Sequence, residues 1–342
     1  MVNKTNIDDT VSLVIPVRNE AMFIENCIQS VLKQDYPLDK IEALLIDGLS
    51  DDQTQAIIKS YNQEYPSTIK YFENPMKTVP YAMNIGIKNA NGHYIIRLDG
   101  HAQYPDNYIS RCIATLKNTG ADNVGGLLET RGSGTIGRAY AKVLSSIFGV
   151  GNASFRINAS SGYVDTVPFG AFERKTFDKY GLYDERLKRR QDYELNYRIR
   201  KNGGRIFLDS NLKLVYHCRS TISGIFEQSY QKGKWNIITA KLCLGTMSLR
   251  HLIPFIFVLS LILLPILSYF MPLFMWLLIA QLTLYLLLNI TFTLKLAEGF
   301  KEAIIIFLLY PLNHLAYGIG SIAGLKHNPK KATIEDIESY PS

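Results

Sequence analysis

The stretch RLDGHAQYP, residues 97–105, sets an aspartate and a histidine two positions apart, directly after the apolar run YIIR. Two readings stand open. Asp-Gly is a common turn dipeptide, and a carboxylate and an imidazole flanking one glycine also suit a single cation. Polar groups follow other apolar runs in the same way: Asn19 and Glu20 come after VSLVIPV, and Asp47 closes IEALLID. Charged groups at several such ends suit a phosphorylated, metal-bound ligand, since Mg2+ and Mn2+ take carboxylate oxygens together with substrate phosphate oxygens. An imidazole at 101 favours Mn2+ over Mg2+.

These residues need elements that carry them to one rim. Residues 11–17 and 41–47 read as β-branched strands, each followed by a helical pattern, over 18–32 and 51–61. A third strand over 69–74, a helix over 79–89 and a fourth strand over 93–99 continue the alternation. The expectation is an α/β fold with a mostly parallel, open sheet covered on both faces, in which ligands bind outside the carboxyl ends of the strands. Residues 125–164, rich in Gly, Ser and Asn, read as a loop-bearing segment around one short helix. A strand, a helix, a charged loop and a second helix follow, the last running from near Arg190 to Gly203 and Gly204. RIFLD and KLVYH then read as two short strands.

Composition narrows the setting. The chain has 342 residues and a formal net charge of +7, which suits nucleic acid, an anionic membrane surface or a phosphorylated substrate. No zinc-finger spacing or Arg-rich tract supports nucleic acid. Cys27, Cys112, Cys218 and Cys243 form no C-x-x-C pair, so a reduced compartment without disulfides or structural zinc is expected. The first residues lack the apolar core of a signal peptide, so the first domain is expected to stay in the cytoplasm. Leu252–Met271 and Leu273–Leu294 are each long enough as helices to cross a bilayer core of roughly 30 Å. A third apolar block, Ala303–Leu325, carries Pro311, Asn313 and His314, and Lys326, Lys330 and Lys331 follow it. Those residues favour a re-entrant or interfacial segment over a full span. Lys232, Lys234, Lys241 and Arg250 precede the first block and put the preceding domain on the cytoplasmic side of the plasma membrane.

In their order and spacing, VIPVRNE, LIDGLSDDQT, AMNIGIKNANGHYIIRLDGHA and DYELNYRIRKNG resemble the family 2 glycosyltransferases of the GT-A fold. These are inverting enzymes that use nucleotide-sugar donors, and the pattern is most similar to membrane-anchored glucosyltransferases of exopolysaccharide assembly, the succinoglycan type. The resemblance implies a catalytic domain over 1–240, amphipathic and transmembrane helices over 241–325 and a polar tail over 326–342. It implies that Pro16, Arg18 and Glu20 cradle the nucleotide and that Asp47 accepts from the uracil ring. Asp99 and His101 match the D-x-D motif for metal and donor diphosphate, with His in place of the second Asp. His217 matches a histidine that completes the metal shell in some GT-A enzymes, and it reads equally as a surface histidine at a strand end.

Asp192 matches the general base, with Gln191 where an acid often precedes it; the rival reading is an acidic helix cap. Gln231, Lys234 and Trp235 in QKGKW echo the Q-x-x-R-W motif of processive synthases, with Lys for Arg. The same stretch reads as an amphipathic helix resting its lysines on anionic lipid. Arg131 and Arg156 lie in glycine-rich stretches that would face a diphosphate lipid. The expected activity is transfer of a hexose, glucose by resemblance, from a UDP-sugar to a lipid-linked, polyprenyl diphosphate oligosaccharide, with Mn2+ or Mg2+ as cofactor. A polyprenyl-phosphate sugar synthase, a small processive synthase and a non-catalytic membrane scaffold are the alternatives.

Overall fold

The computed structural model describes residues 9–327 apart from 103 and 158, together with 329. The expected tail beyond, with Lys330 and Lys331, lies outside the described residues. In chain order the elements are β1 (Val11–Val17), α1 (Ile24–Leu32), β2 (Ile41–Asp47), α2 (Thr54–Glu64), β3 (Ile69–Glu73), α3 (Val79–Asn89), β4 (Tyr94–Arg97), α4 (Tyr108–Thr119) and β5 (Asn123–Arg131). Next come α5 (Gly134–Leu144), α6 (Ile147–Val150), β6 (Gly162–Tyr163), β7 (Ala171–Glu173), α7 (Lys175–Tyr180), α8 (Gln191–Lys201) and β8 (Ile206–His217). The last four helices are α9 (Ile222–Leu242), α10 (Leu249–Ser268), α11 (Leu273–Leu296) and α12 (Phe300–Leu325). Two compact units result, one from residues up to 128 with 159–215, the other from 129–158 with 216–329.

The first unit is organised by a sheet of strand order β3-β2-β1-β4-β7-β5-β8-β6. Its first half is parallel, β1 pairing with β2 and β4, and β2 with β3. β7 then runs antiparallel to β4 and β5, and β6 antiparallel to β8. β2 is buried along its whole length and β1 nearly so, as strands covered on both faces must be, and both are unbroken apolar runs but for Ser12, Pro16, Glu42 and Asp47. α3 lies directly on this half because of Gly86. A Cβ there would come within 2.3 Å of Val14 Cγ1 and 2.9 Å of Ile46 Cδ1. Parallel pairing brings the carboxyl ends of β1, β2 and β4 to one edge, so residues 18–20, Asp47 and Asp99 share a rim.

Two stretches differ from expectation. RIFLD and KLVYH are one twelve-residue strand, β8. The polar triplet Asp209–Ser210–Asn211 stays within it because Asp209 is buried and accepts from Arg111 Nε at 2.9 Å and Thr115 Oγ1 at 2.8 Å. Residues 125–164, expected as loop around one short helix, hold most of β5, all of α5 and the short α6. The glycines that suggested a loop serve a strand instead. A Cβ on Gly126 would stand 2.2 Å from the Leu212 carbonyl oxygen, so only glycine permits the approach of β8.

In the second unit α10, α11 and α12 are long and apolar enough to cross a membrane. α12 is one unbroken helix through Pro311, which excludes the re-entrant form of the expected re-entrant or interfacial segment. It packs along α9 at backbone contact: a Cβ on Gly233 would stand 1.9 Å from the Tyr317 carbonyl oxygen, and one on Gly320 2.0 Å from that of Tyr230. Small residues at helix contacts of this kind are the usual route to close helix pairing. Ala139, Tyr140, Leu144, Ile225, Ile306 and Tyr310 form the apolar core between α5, α9 and α12. Asn313 and His314 of α12 both find partners there. Asn313 Oδ1 accepts from Ser229 Oγ at 2.7 Å and Tyr140 Oη at 3.2 Å, and its Nδ2 donates to the Gly149 carbonyl at 3.1 Å. His314 pairs with the Phe148 carbonyl at 2.9 Å and with Tyr285 Oη at 3.0 Å.

Candidate functional site

The rim is held by two loops laced together. Asn19 donates its backbone N–H to Ser50 Oγ at 2.9 Å, Glu20 to Thr54 Oγ1 at 2.8 Å and Ala21 to Asp52 Oδ2 at 3.1 Å. In return Asp51 N–H donates to Asn19 Oδ1 at 3.1 Å. Asn19 and Leu49, at φ 55° and 54°, both take the left-handed turn this fit requires. Arg18 stands at the solvent edge, its side chain over Gly48, where a Cβ would meet it at 3.3 Å. Pro16 lies in β1, within the sheet. Asp47 is fully buried, and its carboxylate accepts from Ser50 N–H at 3.0 Å, Ser50 Oγ at 2.5 Å and Gln55 Nε2 at 2.9 Å. Those bonds shape the loop after β2 and occupy most of the four acceptor positions a carboxylate has.

Asp99 sits past the end of β4, with its peptide pinned from below. Its N–H donates to Tyr104 Oη at 2.6 Å, and its carbonyl lies 3.6 Å from the Cys27 thiol. Burial, with the charges of Asp99 and Glu20, pushes the Cys27 thiol up to about 12, so it stays protonated and unreactive at neutral pH. Gly100 has no room for a side chain, since a Cβ would stand 2.7 Å from Val17 Cγ1. His101 swings back to Glu20, Nδ1 to Oε1 at 3.0 Å. That hydrogen bond, helped by the charges of Asp99 and Glu20 and opposed by burial and Arg97, raises the histidine above its ordinary value.

Asp192 reaches the same place from a separate segment. It lies in the first turn of α8, after Arg190 at φ 64° in the left-handed region. α8 is fixed by Asn196, whose amide joins Asn123, Thr166 and the Val167 carbonyl. Arg198 holds its other side, donating to Glu194 and the Leu182 carbonyl. The link between Asp192 and Asp99 is Arg97, a buried arginine at the end of an otherwise apolar strand. Its Nη1 donates to Asp192 Oδ1 at 2.5 Å and its Nη2 to Asp99 Oδ1 at 3.2 Å. Its guanidinium lies 5.4 Å from the Phe169 ring centroid.

Burial raises the Asp192 carboxyl above the ordinary aspartate range, Asp99 adds to the shift and Arg97 opposes it. Burial alone would favour a neutral Arg97, but the charges of Asp192 and Asp99 overrule it and hold the guanidinium protonated. Among the described residues, Arg97 Nε and the buried Gln191 Oε1 have no hydrogen-bond partner. Sequence reading passed over Arg97. The signal was a charged residue closing a four-residue strand whose other positions are apolar.

The structure thus brings Asp99 and Asp192 together through Arg97, and Glu20 and His101 together directly. The remaining expected residues belong to the second unit. His217 is exposed at the end of β8. Arg131 is exposed and paired with Glu129 at 2.9 Å, and Arg156 stacks 4.7 Å over the Tyr216 ring while donating to Thr130 Oγ1 at 3.3 Å. On α9, Gln231 donates to Glu227 at 2.7 Å, Lys234 is half-buried and Trp235 is buried. A buried indole does not present the flat sugar-facing surface that the motif echo implied.

For a divalent cation the available donors are the Asp99 carboxylate and the His101 imidazole. Nδ1 of His101 is engaged by Glu20, an arrangement that leaves Nε2 as the ligating nitrogen and resembles the carboxylate–histidine pairing found at metal sites. Among the described residues no three His, Cys, Asp or Glu side chains gather as a metal cluster. The pair fits an ion that completes its shell with substrate oxygens and water, the habit of Mg2+ and Mn2+ at phosphate sites.

The family model described as glycosyl transferase family 2 matches residues 12–181. The succinoglycan biosynthesis protein ExoA of Rhizobium meliloti is 31% identical over 224 residues, covering 65% of this chain and 67% of that protein. A Methanococcus voltae protein, dolichyl N-acetyl-alpha-D-glucosaminyl phosphate 3-beta-D-2,3-diacetamido-2,3-dideoxy-beta-D-glucuronosyltransferase, is 29% identical over 230 residues, covering 65% of this chain and 71% of that one. Among solved structures, the mannosyltransferase PcManGT of Pyrobaculum calidifontis, in complex with GDP-Man and Mn2+, aligns over 93% of this chain and 87% of its own. Its TM-score is 0.60 at 16% identity, a likeness of fold.

Proposed function

The chain belongs to the family 2 glycosyl transferases, and on that footing we propose that it is an inverting, membrane-anchored hexosyltransferase working on a lipid-linked acceptor. The observation that supports the reading is the Arg97 bridge, which joins the Asp99 and Asp192 carboxylates through the two terminal nitrogens of one guanidinium. Inverting transfer needs a donor side and a base side. The acceptor oxygen forms its bond to the anomeric carbon as the bond to the diphosphate oxygen breaks, and that electron pair leaves with the nucleoside diphosphate. Asp192 takes the acceptor hydroxyl proton, a role that a carboxyl raised by burial suits better than an ordinary aspartate. Arg97 keeps Asp192 ionised while it waits and holds Asp99 at the angle the strand end sets.

Asp99 and His101 would hold Mn2+ or Mg2+, and a divalent cation there would take up negative charge on the departing diphosphate. Pro16, Arg18 and Glu20 form the first loop of the nucleotide cradle. Asp47 braces its second loop, with one acceptor position left for a uracil N–H. The donor is a UDP-sugar, UDP-glucose in the simplest form of the reading. The acceptor is a sugar on a polyprenyl phosphate or diphosphate, in exopolysaccharide or surface-glycan assembly; the Methanococcus relative's printed acceptor, a dolichyl-phosphate sugar, supports that class over a bare lipid phosphate. α10 and α11 anchor the chain with the catalytic unit on the cytoplasmic face.

Membranes containing the protein, given a panel of labelled UDP- and GDP-sugars with Mn2+, should place label in the organic-soluble lipid fraction from one UDP-hexose. Label confined to water-soluble free sugar, or absent from lipid with every donor, would contradict the reading.

A further inference from the structure

In the second unit, α9, α10 and α12 leave between them a groove of about 570 Å³. Val258 and Ile262 of α10 face Ile319 and Ile322 of α12 across it, and Lys234 and Lys326 stand at its edge. Among the described residues no carboxylate lines it. The end of α12 would ordinarily add negative charge, because the last carbonyls of a helix carry the negative pole of its dipole. Lys241 removes it: its Nζ donates to the Leu325 carbonyl at 2.5 Å and to the His327 carbonyl at 2.9 Å. The apolar trough therefore has a cationic rim with no built-in counter-charge. QKGKW contributes to this groove through Lys234, while its tryptophan is buried elsewhere in the helix packing.

An occupant that matches both surfaces has a hydrocarbon chain joined to a phosphate group. Its first carbons would bury against Val258, Ile262, Ile319 and Ile322, and its phosphate would lie against the two ammonium groups, a charge-assisted contact. We propose that this groove seats the phosphorylated end and first isoprene units of the polyprenyl acceptor lipid, with Lys234 and Lys326 on the phosphate. The proposal rests on the lipid-linked acceptor reading given above.

The test uses the purified full-length protein in detergent and undecaprenyl diphosphate carrying a diazirine in its second isoprene unit. Photolysis should attach the probe to peptides containing Val258–Ile262 and Ile319–Ala323. Unlabelled undecaprenyl diphosphate should suppress the labelling at least about tenfold, and equal amounts of phosphatidylglycerol or inorganic diphosphate should not. Lys234→Gln with Lys326→Gln should lower the yield at least about fivefold, and Ile322→Trp, which fills the trough, should do the same. Thermal unfolding confirms that each variant is folded, and the lysine pair at the rim gives a result even where the tryptophan disturbs packing. Labelling elsewhere, equal competition by phosphatidylglycerol, or undiminished labelling of the folded lysine variant would overturn the groove. The donor panel separates the two readings: sugar reaching lipid with labels outside the groove removes only the groove, and labels inside it with no lipid product remove only the acceptor reading.

Discussion

Two of the polar clusters buried among the described residues are built on opposite plans. In the seam beneath α12, Asn313 has partners for its oxygen and its amide nitrogen, and both ring nitrogens of His314 are engaged. The rim cluster of Arg97, Asp99 and Asp192 is less complete. Arg97 Nε and the neighbouring Gln191 Oε1 lack partners among the described residues, and the Asp192 side chain stays 25% exposed. A closed network of polar groups fixes helices against each other, whereas one with donors and acceptors left over is shaped for something that arrives. Non-glycine residues in the left-handed region mark the second kind here, with Phe169 at φ 48° beside Arg97 and Arg190 at φ 64° just before Asp192.

If the comparison is right, the rim should govern rate and the seam should govern stability. The largest effect is expected from Asp99→Asn, which should reduce transfer to background, and chelation by EDTA should do the same until Mn2+ is restored. Full activity in chelated protein would remove the cation from the account. Arg97→Met comes next. It strips the positive charge that opposes the shift at Asp192, so the carboxyl rises further and more of the base is protonated at neutral pH. The rate at pH 7 should fall roughly 10- to 100-fold, and the acid limb of the kcat/KM profile should move to higher pH, with activity partly regained as pH rises through the new value. A uniform loss at every pH would give Arg97 a structural role only.

The sequence made the rim legible and left the seam obscure. Asp99, His101 and Asp192 stand at element ends where polar residues interrupt apolar patterns, and the parallel alternation alone carries the first two to one edge. Arg97 was hidden because it completes a strand, and strand arithmetic treats an end residue as indifferent. β5 was hidden by its own glycines, which read as loop until Leu212 of the neighbouring strand shows why no side chain fits. β8 was split at Asp209 because its partners, Arg111 and Thr115, come from a helix about a hundred residues earlier. Asn313 and His314 likewise read as interruptions of an apolar segment; the groups that satisfy them lie on α5, α6, α9 and α11, at separations no local window covers.

The seam supplies the smallest effect on catalysis. Asn313→Leu leaves Tyr140, Ser229 and the Gly149 carbonyl short of a partner, which should cost about 1–3 kcal/mol. Thermal unfolding in detergent should show the loss, while transfer per folded molecule stays within about threefold of wild type. A rate loss comparable to that of Arg97→Met would erase the distinction between the two clusters.

The central claim is that Asp192 removes the acceptor proton across from a donor held at Asp99. Asp192→Asn keeps the side-chain shape and the contact with Arg97 while removing the base, so donor affinity and single-turnover transfer measured on this one variant test the claim most directly. The account predicts UDP-sugar affinity within about twofold of wild type and a transfer rate lower by roughly 10²- to 10⁴-fold. Lost donor affinity with the transfer rate preserved would assign Asp192 to the donor side and contradict it.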